Sequence, residues 1–159
     1  MVERIAYAVD GWGVGELVFA EALLAWHELP RPMAQEDGDV DVDVPLHQAL
    51  VGRLRAYFAG ARGDFGDVEI ELEWCTPFQR RAVEAMRSIP YGETATYGEV
   101  AALAGHPNAQ RAVGSVCAAN RYGIVVPCHR VVGADGLGSY GSLGPGYKQR
   151  LLELEGVVL

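Results

Sequence analysis

Hydrophobic positions recur with two different periods along this 159-residue chain, and the change of period divides it. Over the first thirty residues short β-prone runs cover 5–9, 15–20 and 23–27. Asp10-Gly11 and Glu21-Ala22 separate them, which predicts an antiparallel meander. Residues 30–44 read as an acid-rich loop, with Asp37, Asp39, Asp41 and Asp43 at alternate positions. A calcium loop counted from Asp37 needs glycine sixth and glutamate twelfth, but Val42 and Gln48 stand there, leaving a solvated acidic loop or edge strand. Pro45 then opens a helix ending near Gly60, with Leu46, Leu50, Leu54, Tyr57 and Phe58 on one face. Val68, Ile70 and Leu72 alternate with acids, as a half-buried strand or as a link leading out of a first domain. The boundary is placed at about residue 75.

The second half is punctuated more sharply. Thr76-Pro77-Phe78-Gln79 is a capping box with proline in the first turn. The helix it starts carries Phe78, Ala82, Ala85, Met86 and Ile89 at helical spacing, and Pro90-Tyr91-Gly92 breaks it. Thr96-Tyr97-Gly98-Glu99 is a second capping box, opening a helix through Ala104 that Gly105 stops. After His106-Pro107-Asn108 a third helix spans 109–118, so the pair predicts a helix-turn-helix. That third helix is built from small residues, among them Ala112, Gly114, Ser115 and Ala118, with Arg111 as its one charge. Such a helix either packs tightly inside the protein or approaches another backbone, such as a DNA groove. A closing helix is predicted over 147–155, capped by Gly156. The expected fold is α+β: a small antiparallel-sheet-plus-helix domain over 1–75, then a mostly helical, winged-helix-like domain over 76–159.

Composition narrows the class. Half the residues are hydrophobic, enough for one good core or two small ones. No apolar run is long enough to span a bilayer, and the start lacks the pattern of a signal peptide, so a soluble cytoplasmic protein without membrane partners is expected. Three scattered cysteines make no disulfide framework, and no Cys-x-x-Cys or paired-His spacing suggests zinc. Net charge is −8, yet residues 1–75 hold 5 Lys+Arg against 15 Asp+Glu, while 76–159 hold 8 against 6. Screening confines charge effects to about 8 Å at physiological salt, so the mildly basic second half is free to meet phosphate.

Candidate chemistry lies in Pro127-Cys128-His129-Arg130, set between Val125-Val126 and Val131-Val132. Proline and β-branched neighbours restrict the backbone around the sulfur. A thiolate is the nucleophile, and an adjacent imidazole is the usual means of forming it. A buried structural cysteine is the alternative. Glu155, in the last turn of the closing helix where the helix dipole disfavours an acid, reads either as the partner of a cation, with His129 a candidate, or as an exposed acid at a cost of about a few tenths of a kcal/mol. Cys75 and Cys117 read as packing residues, His106 as part of a turn, and Trp12, Trp26 and Trp74 as core or surface-strand residues.

Taken together, these residues resemble the O6-alkylguanine-DNA alkyltransferase family of direct-reversal repair proteins. The resemblance is carried by Thr76-Pro77-Phe78-Gln79, by Ile89-Pro90-Tyr91-Gly92-Glu93-Thr94 running into Tyr97, and by Arg111-Ala112-Val113-Gly114. It continues through Asn120, Pro127-Cys128-His129-Arg130-Val131-Val132 and Lys148 to Leu151-Leu152-Glu153-Leu154-Glu155-Gly156. It covers essentially all of 76–156; the first half resembles the family's ribonuclease H-like domain only in its β-then-helix layout. The resemblance implies a single-turnover DNA repair transferase that uses no cofactor. Cys128 would accept the alkyl group, His129 would take its proton through a water, and Glu155 would orient His129. Asn120 would hold the turns of the site, and Tyr97 would donate to an extruded guanine. Backbone groups at Cys128 and Val131 would read the base, with Tyr140 on the loop that closes over it. Arg111 would fill the gap in the duplex from a helix in the minor groove. The implied partner is double-stranded DNA bearing alkylated guanine, met by a monomer.

Two stretches depart from the family pattern. Proline usually follows the site asparagine, and Arg121 stands there. The segment from Tyr140 to Lys148 is one residue longer than usual, with Pro145 expected to stiffen its turn. Gly141 and Ser142 are therefore weak site candidates, and a changed preference for alkyl size or a slower reaction is expected. Two other functions compete: a non-transferring alkylguanine-DNA-binding protein that recruits other repair factors, and a cysteine hydrolase using Cys128 and His129. Adjacent residues of a strand point to opposite faces, so the latter would need a turn at Cys128.

Overall fold

The structure, a computed structural model, describes residues 2–32 and 45–158, so the alternating acids at 37–43 lie outside the described residues. The chain divides into two compact units, Met1–Gly63 with Val68–Glu71, and Asp64–Asp67 with Leu72–Leu159.

In the first unit β1 (Val2–Val9), β2 (Gly13–Ala20) and β3 (Leu23–Arg31) form an antiparallel sheet in the order β1-β2-β3. The β2–β3 connection is a two-residue turn in which both Glu21 (φ 52°) and Ala22 (φ 68°) are left-handed, the backbone a right-twisted hairpin prefers. Ile5, Tyr7 and Val9 alternate onto the buried face. Against the sheet lies α1 (Pro45–Phe58), which buries Leu50, Leu54, Tyr57 and Phe58, with Trp12 packed on Phe58 at 4.9 Å between rings. One expectation is corrected here. The third strand runs on through Pro30 to Arg31, because β3 is a sheet edge and a proline there costs no ladder bond toward a neighbour. Of the two readings of the alternating segment after residue 67, the structure takes the link, with one parallel bridge, Leu24 to Ile70.

The second unit begins with α2 (Pro77–Arg87), whose Thr76–Gln79 capping box is complete in both directions. Ala82, Val83, Ala85 and Met86 form its buried stripe. β4 (Ala95–Thr96) leads into α3 (Tyr97–Leu103), capped reciprocally by Thr96 and Glu99. Gly105, left-handed at φ 85°, turns the chain toward α4 (Gln110–Ala118). The helix-turn-helix is thus present, with Val113 and Val116 buried and Arg111, Ala112, Ser115 and Ala118 exposed. The small residues of α4 therefore do not serve packing inside this unit; a Cβ built on Gly114 meets nothing within 4 Å. β5 (Val131–Val132) pairs in parallel with β4, Ala95 opposite Val131. The wing of the expected winged-helix domain is not confirmed: among the described residues of the second unit the antiparallel pairing is limited to the isolated bridge between Gly133 and Gly136.

The closing helix α5 (Gly144–Leu154) starts three residues before the predicted 147, directly after a 3₁₀ turn at Gly141–Leu143. Pro145 therefore sits in a first helical turn, where its missing N–H has no intrahelical partner to lose, and not in a stiffened loop. Trp74, expected in core or surface-strand duty within the first half, packs in the second unit beside Tyr122. Among the described residues no helix is long and apolar enough to cross a membrane.

Candidate active site

The segment from Asn120 to Val131 carries the candidate nucleophile, and it folds as a series of tight turns. Val126 N–H donates to Tyr122 O at 2.7 Å, and between them Ile124 is left-handed at φ 71°, a conformation that β-branched residues rarely adopt. Asn120 holds this strained loop. Its Oδ1 accepts from Tyr122 N–H at 3.0 Å, and its Nδ2 donates to Val126 O at 3.0 Å and to Cys128 Sγ at 2.9 Å. Cys128, His129 and Arg130 then form one 3₁₀ turn instead of continuing the valine run as a strand. Three residues per turn space their side chains around the axis. Cys128 faces a cavity, while His129 and Arg130 reach the carboxylate of Glu155.

That second cluster is fully enclosed. His129 Nε2 lies 2.6 Å from Glu155 Oε2, and Arg130 donates from Nε to Oε1 at 2.8 Å and from Nη2 to Oε2 at 3.2 Å. Gly92 N–H adds a bond to Oε1 at 3.1 Å, and Arg130 Nη1 ties the group to Ile89 O at 2.8 Å. Glu155 itself is the C-cap residue of α5. The forked guanidinium matches a carboxylate geometrically and keeps it ionised out of water. Burial holds the His129 imidazole below its ordinary pKa even though Glu155 pulls the other way, so the ring is neutral and directs its Nε2–H at the carboxylate. The other ring nitrogen, Nδ1, is the one turned away from Glu155.

The cavity measures about 510 Å³. Its walls are Tyr97 at the start of α3, the Arg111, Gly114, Ser115, Cys117 and Ala118 side of α4, and the Gly138–Gly141 loop, with Cys128 at its inner end. Burial raises the Cys128 thiol above its ordinary value, while hydrogen bonds from Asn120 and Tyr140 and the nearby Lys148 ammonium act against that rise. Tyr97 is also raised, chiefly by burial, and keeps its proton at neutral pH. Lys148 is buried behind it, with Nζ 5.6 Å from the centre of the Tyr97 ring and donating to Ser139 O at 3.3 Å. Gly138 closes this corner: a Cβ there would stand 2.8 Å from the Tyr97 hydroxyl, and its φ is 79°.

Of the residues singled out in the sequence, Cys128, Tyr97, Arg111 and Tyr140 meet at the cavity, and His129, Glu155 and Asn120 stand behind it. Val131 is placed otherwise. It is fully buried in β5, its N–H bonded to Cys128 O, and it is not part of the cavity wall. Cys117, read as packing, touches Met86 Sδ at 3.6 Å but also faces the cavity; burial pushes its thiol up to about 12. Sequence reasoning gave no role to Arg130, Lys148, Gly92 or Gly138. A cation next to His129 was a visible partner for an acid in a last turn, but Lys148 and Gly138 carried no local signal.

A helix-turn-helix whose second helix walls a cavity, with a restrained cysteine inside and a His–carboxylate pair behind it, defines a nucleic-acid-binding protein with nucleophilic chemistry. The chain belongs to the 6-O-methylguanine DNA methyltransferase family, whose DNA-binding-domain model matches residues 77–157. It is 52% identical over 114 residues to a methylated-DNA–protein-cysteine methyltransferase of Mycobacterium tuberculosis, covering 71% of this chain and 67% of that protein. The protein of that name from Mycolicibacterium paratuberculosis is 52% identical over 131 residues, 82% of this chain and 69% of the relative. Among solved structures, Mycobacterium tuberculosis OGT in complex with DNA aligns over 96% of this chain and 92% of its own, at 38% identity and a TM-score of 0.78.

Proposed function

We propose that this protein repairs O6-alkylguanine in double-stranded DNA by transferring the alkyl group irreversibly to Cys128, once per molecule. The observation that carries this reading is the Cys128 thiol at the inner end of a cavity walled by the second helix of a helix-turn-helix, held by Asn120 at 2.9 Å. A base inside a stacked duplex cannot reach such a thiol, so the damaged guanine is flipped into the cavity. The exposed small residues of α4 let that helix approach the backbone in the minor groove, and Arg111, on its exposed rim, occupies the space the base leaves.

In the chemical step the neutral His129 receives the Cys128 proton through a water on its Nδ1 side. Glu155 stabilises the imidazolium that results, and Arg130 keeps Glu155 charged and in place. The thiolate attacks the alkyl carbon in line; the S–C bond forms as the C–O6 bond breaks, and the electron pair leaves with guanine. The Tyr97 hydroxyl, protonated at neutral pH, donates to the departing base. The thioether has no easy route back and the step needs no cofactor. A cytoplasmic monomer of two domains, divided at about residue 75 with a ribonuclease H-like first domain, fits this role.

Intact mass after mixing with a duplex carrying one O6-methylguanine tests the proposal. The expected result is a gain of one methylene per protein, saturating at one equivalent and absent in Cys128→Ala. Tight binding without a mass change would leave the non-transferring lesion-binding function instead.

A further inference from the structure

Where the family usually places proline after the site asparagine, Arg121 leaves the backbone without that restraint. A different restraint is built on the other side of the loop. The Arg121 guanidinium carbon lies 4.2 Å from the centre of the Trp74 ring, and Trp74 Nε1–H donates to the Tyr122 hydroxyl at 3.0 Å. One indole thus grips both residues that follow Asn120. The indole stands on a firm base, because the chain around it is tied down: Cys75 N–H and Arg80 Nη2 both donate to Leu72 O, at 3.0 and 2.9 Å. From Tyr122 the bonds run on to Asn120 Oδ1, and from Asn120 Nδ2 to Cys128 Sγ. The carboxamide cannot move off the sulfur without disturbing Tyr122.

We propose that Trp74 and Arg121 form a cation–π clamp that positions the Asn120 amide on the Cys128 thiol, replacing the backbone restraint that proline provides elsewhere in the family. Neither side chain lines the cavity, so both are positioning residues. The inference rests on the alkyl-transfer function proposed above, since it concerns how that nucleophile is held.

The test uses the full chain carrying Trp74→Leu, Arg121→Gln, or Trp74→Leu with Arg121→Pro. Three quantities are read: the transfer rate at saturating O6-methylguanine duplex, the duplex affinity, and the pH midpoint of iodoacetamide labelling at Cys128, located by peptide mass to separate it from Cys75 and Cys117. The thiol faces Lys148 of α5, Tyr97 of α3, Cys117 of α4, and Tyr140, none of which is altered. A donor on sulfur favours the thiolate, so loosening the amide moves the midpoint to higher pH. Trp74→Leu is expected to slow transfer about tenfold and Arg121→Gln about threefold, with affinity within about twofold of wild type. Adding Arg121→Pro to Trp74→Leu is expected to restore most of the rate. Wild-type rates and midpoints in both single variants would overturn the clamp. So would a loss of affinity with an unmoved midpoint, which would make Arg121 a phosphate contact. If Trp74→Leu does not fold, Arg121→Gln decides alone. Labelling needs no methyl transfer, so a wild-type protein that takes up no methyl defeats the functional proposal while the midpoints still judge the clamp.

Discussion

Behind Cys128 and in front of it, the second unit is built in opposite ways. Behind lies the His129–Glu155–Arg130 cluster, out of water and closed by five hydrogen bonds, the Gly92 and Ile89 backbone contacts included. In front lie the exposed small residues of α4 and a loop with left-handed glycines at 138, 141 and 144. In the proposed function the contrast follows from two tasks. A group that must generate and hold charge needs fixed partners in a dry setting, where each bond is strong and reorganisation is small. A wall that must admit a flipped base and lie against a duplex needs little side-chain bulk and a backbone able to adjust.

The contrast breaks most severely at Glu155. Glu155→Gln leaves Arg130 buried without its counter-charge, a loss of about 3–5 kcal/mol. Thermal melting is expected to fall by roughly 10 °C. Transfer in surviving folded protein should slow by about 100-fold, as when a general base loses its orientation. A smaller break is expected on the adaptable side. Gly138→Ala brings a Cβ to 2.8 Å from the Tyr97 hydroxyl at φ 79°, and single-turnover transfer should slow by about tenfold. In a Tyr97→Phe background the same substitution should do less further harm, because the hydroxyl it strikes is gone. Comparing the four rates separates the clash from backbone strain.

Arg111→Ala should leave the folded protein intact and slow transfer at saturating DNA by about threefold, because the flipped state loses the side chain that fills the base's place. Duplex affinity should weaken by about fivefold, measured by titration at fixed salt. The smallest expected effect concerns pH. His129 is neutral in the folded protein, with its pKa below the ordinary value because of burial. On unfolding it takes up a proton wherever the pH is below about 6.5, the ordinary imidazole value. Stability therefore gains nothing from this group above that pH and declines as pH falls beneath it, since the unfolded state binds more protons. Denaturation midpoints at pH 7.5 and 5.5 should show a larger drop for wild type than for His129→Asn. An equal drop would mean that His129 is not the buried neutral group described.

Much of the architecture was legible because its signals are local. Both capping boxes, the Gly105 turn and the two-residue β2–β3 turn involve partners within four residues, so residue type alone predicts them. Strand ends were less legible. Pro30 looks like a terminator until β3 is known to be an edge, and Pro145 looks like a loop residue until α5 is seen to start beneath it. The 3₁₀ turn at Cys128 was illegible for a similar reason: β-branched neighbours favour extension, but Asn120 and the hydrogen bond closing on Tyr122 O turn the chain.

By itself the sequence determined the family-bearing motifs, the helix-turn-helix and the candidate nucleophile, because each is written in contiguous residues whose chemistry acts over a few ångströms. Only the tertiary structure decided which groups surround that residue. Arg130 and Glu155 are 25 positions apart, and Trp74 lies 48 before Tyr122. Lys148 comes to lie beside a tyrosine on another helix, and the small face of α4 is left bare. Contacts between distant segments depend on how helices and turns pack, and packing responds to the volume and shape of the whole unit, which no local pattern encodes.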